Sequence, residues 1–330
     1  DNEFYIEIIP NKEARTITIK DNGIGMTREE VITNIGTIAK SGSKDFMEKF
    51  NKAKENKELD IIGQFGVGFY SSFMLADKVT LVTKSATDEK ATIWESNGEG
   101  EYFIDEFDKS SRGTEITLHL RQDEEDNNYS QYLEEWEIKS LVKKYSDYVR
   151  YPVCMNITKE TQKEDSEETV TEIVKETLNT MTPIWKKNKN DVTTEEYNEF
   201  YKGKFHDWVD PVKVIHTTVE GNIEYTALLF IPSKTPFDFH SKEYEKGLQL
   251  YTKNVFIMDK CKELVPDYFR FVKGLVDSSD FSLNISRESL QQNKMLQNIS
   301  NNLEKKIKKE LETMLKNDRK NYVEFFNNFG

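Results

Sequence analysis

The stretch Thr16-Ile17-Thr18-Ile19-Lys20, followed by Asp21-Asn22-Gly23-Ile24-Gly25-Met26 and then Thr27-Arg28-Glu29-Glu30-Val31, narrows the possible folds more than any other. Alternating β-branched residues predict a strand, and the two glycines predict a change of chain direction. Thr27 with Glu30 three positions later is a capping box, so a helix starts directly after the glycines and is expected to turn Val31, Ile32 and Ile35 inward. Upstream, Phe4-Tyr5-Ile6-Glu7-Ile8-Ile9 predicts a first strand paired with the second through the turn at Pro10-Asn11-Lys12-Glu13. On these residues alone two readings of Asp21-Asn22-Gly23 stay open: an ordinary turn, or a strand-end carboxylate exposed to a ligand.

A second glycine group, Gly63-Gln64-Phe65-Gly66-Val67-Gly68-Phe69, runs into the apolar stretch Tyr70-Ser71-Ser72-Phe73-Met74-Leu75-Ala76, read as a helix. Free amides at a helix start favour an anion, although glycines also serve packing. No Lys-Ser or Lys-Thr follows, which excludes a P-loop. The G-x-x-G-x-G spacing differs from the dinucleotide fingerprint, and a kinase's catalytic-loop and magnesium motifs are missing. A third group, Arg112-Gly113-Thr114-Glu115-Ile116, is a turn feeding a strand with a hydroxyl at its mouth.

From Lys78 to Leu120 short alternating runs predict antiparallel strands, making the first region a mixed α/β layer structure. Ile138 to Val149 reads as an amphipathic helix and Tyr151 to Ile157 as a strand. Residues 122–137 and 160–177 are acidic runs. The second is expected to be a linker between a first domain, 1–159, and a second, 178–330. In the second, strands are expected around 212–219, 223–232 and 248–259. Helix is expected after Pro266, ending in Leu303, Ile307, Leu311 and Met314 at helical spacing. A net charge of -13 argues against general nucleic-acid binding. The absence of a long apolar run argues against a membrane span, and the expected location is the cytoplasm. Cys154 and Cys261 have no metal or redox spacing and are expected as isolated thiols. The four histidines show no ligand spacing, so no protein-bound metal is expected.

The ordered set of three glycine motifs resembles the ATP-binding superfamily of type II topoisomerases, the mismatch-repair protein MutL, histidine kinases and the 90-kilodalton heat-shock chaperones. Within it, Gly36-Thr37-Ile38-Ala39-Lys40-Ser41-Gly42, Ile62-Gly63-Gln64-Phe65-Gly66-Val67-Gly68-Phe69, and Leu283-Asn284-Ile285-Ser286-Arg287-Glu288 resemble the heat-shock protein 90 family. The short acidic run without a long charged insert resembles its bacterial branch. The resemblance covers nearly the whole chain. It implies a two-layer α/β sandwich that binds ATP, of the gyrase, heat-shock, histidine-kinase and MutL type, followed by part of an α/β middle domain.

By the same resemblance Asp21 accepts a hydrogen bond from the adenine amine, and Gly23 and Gly25 allow close approach of the base. Met26 covers the base, Thr114 supports Asp21 through its hydroxyl or a water, and Asn34 reaches the ribose or phosphates. Ile24 and Ile35 belong to the same pocket. Gly63, Gly66, Val67, Gly68 and Phe69 wrap the phosphates with Lys40 nearby, and the stretch from Gly36 to Gly66 is a lid. Arg287 reaches the γ-phosphate with Gln291 one turn on, a role suited to a permanently charged, bidentate guanidinium. Trp208, Phe237 and Phe239 fall where the family presents client-facing surface; core packing is the alternative for them.

ATP with Mg2+ is the implied cofactor, and client proteins, with cochaperones, the implied partners. The family's general-base glutamate and magnesium-binding asparagine precede its first glycine motif and have no counterpart from Asp1 onward. The 330-residue chain is therefore expected to be inactive in hydrolysis on its own and its parent an ATPase; as the family's C-terminal dimerisation domain also has no counterpart in it, the chain is expected to be a monomer and its parent a homodimer. A nonenzymatic protein-binding module, in which the glycines only shape turns, is the alternative.

Overall fold

The computed structural model describes residues 3–36, 68–162, 169–221, 223–281 and 294–330. The chain divides into two compact units, Asp1–Met181 and Thr182–Gly330.

The first unit is built on an eight-stranded sheet. Its strands are β1 (Ile6–Asn11), β2 (Thr16–Asp21), β3 (Ala76–Lys84), β4 (Ala91–Ser96), β5 (Tyr102–Phe107), β6 (Gly113–Leu120), β7 (Val153–Gln162) and β8 (Thr169–Thr177), in the spatial order β5-β4-β3-β6-β2-β1-β7-β8. Every neighbouring pair is antiparallel except β1 with β7. Register makes the two faces chemically different. Ile8, Ile19, Ile116, Leu81 and Trp94 lie in one cross-strand row, and Ile17, Leu118 and Val79 lie in the next row on the same face. Helices α1 (Arg28–Asn34), α2 (Ser72–Leu75) and α3 (Glu135–Tyr145) belong to this unit. Val31 packs into the cluster of Leu81, Trp94 and Leu118, and Ile138 and Val142 pack on Val153, Met155 and Ile157. The opposite face carries cross-strand polar pairs instead: Thr18 with Thr117 at 2.8 Å, Lys20 with Glu115 at 3.1 Å and Lys78 with Glu95 at 2.9 Å. One apolar face under helices and one polar face in water define a two-layer α/β sandwich.

The capping box forms as the sequence predicts, with Thr27 accepting from the Glu30 amide and Glu30 from the Thr27 amide. Val31 is fully buried and Ile35 joins the core, but Ile32 is 40% exposed, because a seven-residue helix presents only one narrow stripe to the sheet. The apolar run after Gly68 is a 3-10 turn (Gly68–Ser71) and the four-residue α2, not a longer helix, since Ala76 already begins β3.

The expected linker over 160–177 is corrected by β7 and β8, which pair from Cys154↔Thr177 to Gln162↔Thr169. Thr169-Val170-Thr171-Glu172-Ile173-Val174 is dense in β-branched residues, and that preference outweighs the acidic composition. The first unit accordingly runs to Met181 rather than to 159.

The second unit holds a five-stranded sheet of β9 (Lys213–Val219), β10 (Tyr225–Ile231), β11 (Leu248–Thr252), β12 (Val255–Cys261) and β13 (Lys273–Asp277), ordered β12-β11-β13-β10-β9. Lys253 and Asn254, both at positive φ, turn β11 into β12, which splits the expected single run over 248–259 into a hairpin. All seven residues of β10 are buried because both faces are covered. Ala227, Leu229 and Ile231 meet Leu296, Ile299, Leu303 and Ile307 of α5 (Lys294–Asn317), joined by Phe325 of α6 (Arg319–Phe329). On the other face Phe230 contacts Phe200 and Tyr201 of α4 (Thr194–Phe205), with ring centroids 6.1 and 5.1 Å apart. β13 corrects the expectation of helix throughout after Pro266. Gly274-Leu275-Val276 is short and apolar, and it fills the gap between β11 and β10. Among the described residues no helix is long and apolar enough to cross a membrane.

Candidate functional site

The end of the covered face of the first sheet is polar. Thr83 pairs with Thr114 across β3 and β6, and Asp21 follows one step beyond the pair Lys20↔Glu115. A row of Asp21, Thr114 and Thr83 therefore closes a face that is otherwise aliphatic and aromatic.

Asp21 is half-buried. Its Oδ1 accepts from the Gly23 amide at 2.8 Å and from the Thr114 amide at 3.3 Å. These bonds fix the carboxylate plane and leave Oδ2 with no protein donor among the described residues. Direct support from Thr114 thus comes through its backbone amide. The Thr114 hydroxyl instead lies 2.9 Å from the hydroxyl of Thr83. Thr83 in turn accepts from the Met26 amide at 3.0 Å. Sequence reading missed Thr83, although it occupies an inward position two residues beyond Leu81, where a polar side chain stands out.

Gly25 and Gly113 have a backbone reason to be glycine. Gly25 has φ +66°, and a Cβ there would stand 1.8 Å from the Lys84 carbonyl oxygen. A Cβ on Gly113, at φ +110°, would stand 2.2 Å from the Asp21 carbonyl oxygen. Both positions let backbone meet backbone, so that the turn after β2 nests between the end of β3 and the start of β6. The Ala86 amide completes the nest by donating to the Ile24 carbonyl at 2.9 Å. The Ile24 side chain is 59% exposed. Asn22 is spent on the segment leading into β1, accepting from the Tyr5 amide and donating to the Glu3 carbonyl, both at 2.9 Å.

A second group assembles beside the first. Asn34 ends α1, half-exposed, and the following Ile35 carbonyl accepts from the Tyr70 hydroxyl at 2.5 Å. That bond ties α1 to the turn at Gly68 and Phe69. Met26, Ile35 and Phe69 all pack on the same apolar cluster, which joins the two groups through the core. Lys40, Gly63, Gly66 and Val67, and in the second unit Arg287 and Gln291, lie outside the described residues.

On the polar face behind the site, burial tends to raise the Glu115 carboxyl, but bonds from Lys109 and Lys20 outweigh it and hold the group below the usual carboxylate range. Lys20 and Lys109 are thus both engaged by Glu115, and among the described residues no cation pairs with Asp21.

In the second unit Trp208 and Phe237 are almost fully exposed, at 94% and 108%. Phe239 is not part of that surface. It is buried against Tyr244 and Phe329, at centroid distances of 5.1 and 5.5 Å, with the Arg270 guanidinium 4.5 Å over its ring. Three aromatic and cationic neighbours make it core, which corrects the client-facing expectation.

A strand-end carboxylate locked on one oxygen, a nested glycine turn and a capped helix on a two-layer sandwich define the class of ATP-binding domain shared by histidine kinases, gyrase and the heat-shock chaperones. Residues 2–128 match the family described as histidine kinase-, DNA gyrase B- and HSP90-like ATPase, and residues 131–177 and 167–330 match the family described as Hsp90 protein. The chain belongs to the Hsp90 family. It is 56% identical to the chaperone protein HtpG of Fusobacterium nucleatum subsp. nucleatum, over 100% of this chain and 51% of that protein. It is 52% identical to HtpG of Clostridium perfringens, over 100% of this chain and 52% of the relative, and 53% identical to HtpG of Alkaliphilus oremlandii, over 99% and 52%. The chain thus spans about half the length of the relatives it matches.

Proposed function

We propose that this chain is the nucleotide-binding and middle part of an ATP-driven molecular chaperone. The observation that carries the reading is the division of labour on Asp21. Oδ1 is held by the Gly23 and Thr114 amides, and Oδ2 is left as an oriented acceptor at the mouth of the covered face. An adenine exocyclic amine is the complementary donor, and a charge-assisted bond of that kind contributes about 1.5–3 kcal/mol. The residues present therefore fit the base. Met26 and Ile24 border the same turn, Asn34 stands one helix away for ribose or phosphate, and the amides of Gly66, Val67, Gly68 and Phe69 suit the phosphates.

Bound ATP, with magnesium as its counter-ion, would supply the free energy of hydrolysis. Arg287, together with Gln291, neutralises charge on the γ-phosphate and so couples the second unit to nucleotide state. Trp208 and Phe237 contact unfolded or partly folded client proteins, since fully exposed aromatics gain most from burial against an apolar chain. The parent protein acts as a cytoplasmic homodimer, in reach of cochaperones.

Titration calorimetry of magnesium ATP into the chain tests the first step. Binding is expected, and Asp21→Asn, which sets a donor against a donor, is expected to weaken it at least about tenfold. Equal affinity in the two forms would remove Asp21 from the site. In the longer protein, ATP turnover that survives Arg287→Ala unchanged would remove the coupling role.

A further inference from the structure

A cavity of about 300 Å³ lies in the second unit among the end of α4, the start of β11, the end of β12 and the residues that lead into β13. Four cations line it, Lys204, Lys260, Arg270 and Lys273, against three carboxylates, Asp238, Glu245 and Asp259. Two of these carboxylates are already engaged, Glu245 by Lys262 and Asp259 by the Gln249 side-chain amide, each at 2.8 Å. Among the cations Lys273 stands 3.6 Å from Asp207, and Lys260 donates to the Glu245 carbonyl at 3.3 Å. Arg270 is held differently. Its guanidinium carbon lies 4.5 Å over the Phe239 ring and 5.6 Å from the centre of the Tyr244 ring, and one N–H donates to the Phe239 carbonyl. Among the described residues no carboxylate forms an ion pair with it. A guanidinium stacked on two rings and pinned at one nitrogen keeps a fixed plane, so it has already lost the side-chain freedom that binding an anion would cost.

We infer that this cavity takes the carboxylate of an acidic side chain on a client polypeptide, and that Arg270 binds it. The inference rests on the client reading of Trp208 and Phe237 and adds a charge preference to it. Trp208 follows His206 by two residues and Phe237 stands between Pro236 and Asp238, while His206, Pro236 and Asp238 all line the cavity. Two exposed aromatics therefore border, along the chain, a hollow with cations to spare. The complementary ligand is a segment that carries apolar residues beside an aspartate or a glutamate. The planar fork of N–H donors on Arg270 matches a carboxylate through two parallel bonds. The volume is at the lower end of the range of ligand pockets, roughly 300–1,000 Å³, which suits a single side chain rather than a larger molecule. Asp238, exposed on the same lining, opposes an incoming carboxylate and sets a limit on the preference.

The test is fluorescence anisotropy on the 330-residue chain with two short labelled peptides rich in leucine and phenylalanine, one with a central glutamate and its twin with glutamine there. The glutamate peptide is expected to bind about tenfold tighter, by a ratio that shrinks as salt is raised. Arg270→Gln is expected to bring the ratio close to one and to leave affinity for the glutamine peptide unchanged. Arg270→Lys, which keeps stem and charge but lacks the fork, takes its place if the glutamine form does not fold, and is expected to narrow the ratio about threefold. Asp238→Asn, at an exposed position, is expected to widen it. Equal affinity of the unsubstituted chain for the two peptides, or a ratio that substitution of Arg270 leaves unchanged, would overturn the inference while the client reading stands. Binding of neither peptide would remove the client reading and the inference with it.

Discussion

Gly23 and Gly25 stand two residues apart in one turn, yet substitution should separate stability from binding. A Cβ on Gly25 would meet the Lys84 carbonyl oxygen at 1.8 Å and its carbon at 2.5 Å, and backbone cannot step aside as a side chain can. With φ at +66° an alanine is strained even without the clash. Gly25→Ala is therefore expected to destabilise the first unit by at least about 2 kcal/mol, read as a lower urea midpoint at unchanged slope. At Gly23 the Cβ would meet only the Asp21 Oδ1 atom, at 2.9 Å, and a carboxylate can rotate away. Gly23→Ala should leave the urea midpoint nearly in place and weaken nucleotide binding through the displaced carboxylate. The reverse ranking would mean that the turn tolerates bulk at Gly25. At this scale Asp21 was legible from its neighbours in sequence. Thr83 and Gly113 were not assigned, because their partners are more than 25 residues away and only sheet register brings them together.

Elements were legible where local pattern and tertiary demand agree. The strand over 16–21, the capping box at Thr27 and the buried Leu303, Ile307 and Met314 all follow from spacing alone. The reading failed where the two diverge, as in β8, whose acids stand among β-branched residues, and in β13, too short and apolar to show a period. Another feature invisible in sequence joins three elements of the second unit. His216 on β9 lies 3.0 Å from the Trp185 carbonyl through Nε2 and 2.6 Å from the Tyr197 hydroxyl of α4 through Nδ1. A carbonyl only accepts, so Nε2 carries the proton and Nδ1 accepts from Tyr197. Burial holds this ring below the ordinary histidine range; the Trp185 bond opposes that shift and the charge of Lys189 adds to it. A depressed histidine binds fewer protons folded than unfolded between its two pKa values, so stability rises with pH there. Its contribution is whole above about pH 6.5 and is lost as pH falls through the depressed folded value. The stability of 182–330 should decline from pH 7.5 to pH 5.5 more steeply with His216 than with His216→Gln. Parallel curves from denaturant unfolding would show that the ring titrates normally.

At the scale of the whole molecule, each unit owns a sheet and an apolar core, with Leu81, Trp94 and Leu118 central to one and Leu229, Leu250 and Ile307 to the other. A unit with its own core has what independent folding requires, so residues 1–181 and 182–330 prepared as separate pieces should each unfold cooperatively. A ligand stabilises only the unit that binds it, by about 2.7 kcal/mol at a hundredfold excess over its dissociation constant. Because Asp21, Met26 and Thr114 all lie in the first piece, ATP and ADP should both raise its melting temperature and leave the second piece unmoved. Arg287 adds a separate term. If it contacts the γ-phosphate, the intact chain gains an increment for ATP over ADP that neither piece shows and that Arg287→Ala removes. Equal shifts by ATP and ADP in the intact chain would confine nucleotide sensing to the first unit. A shift of 182–330 alone would place a nucleotide site in the second unit.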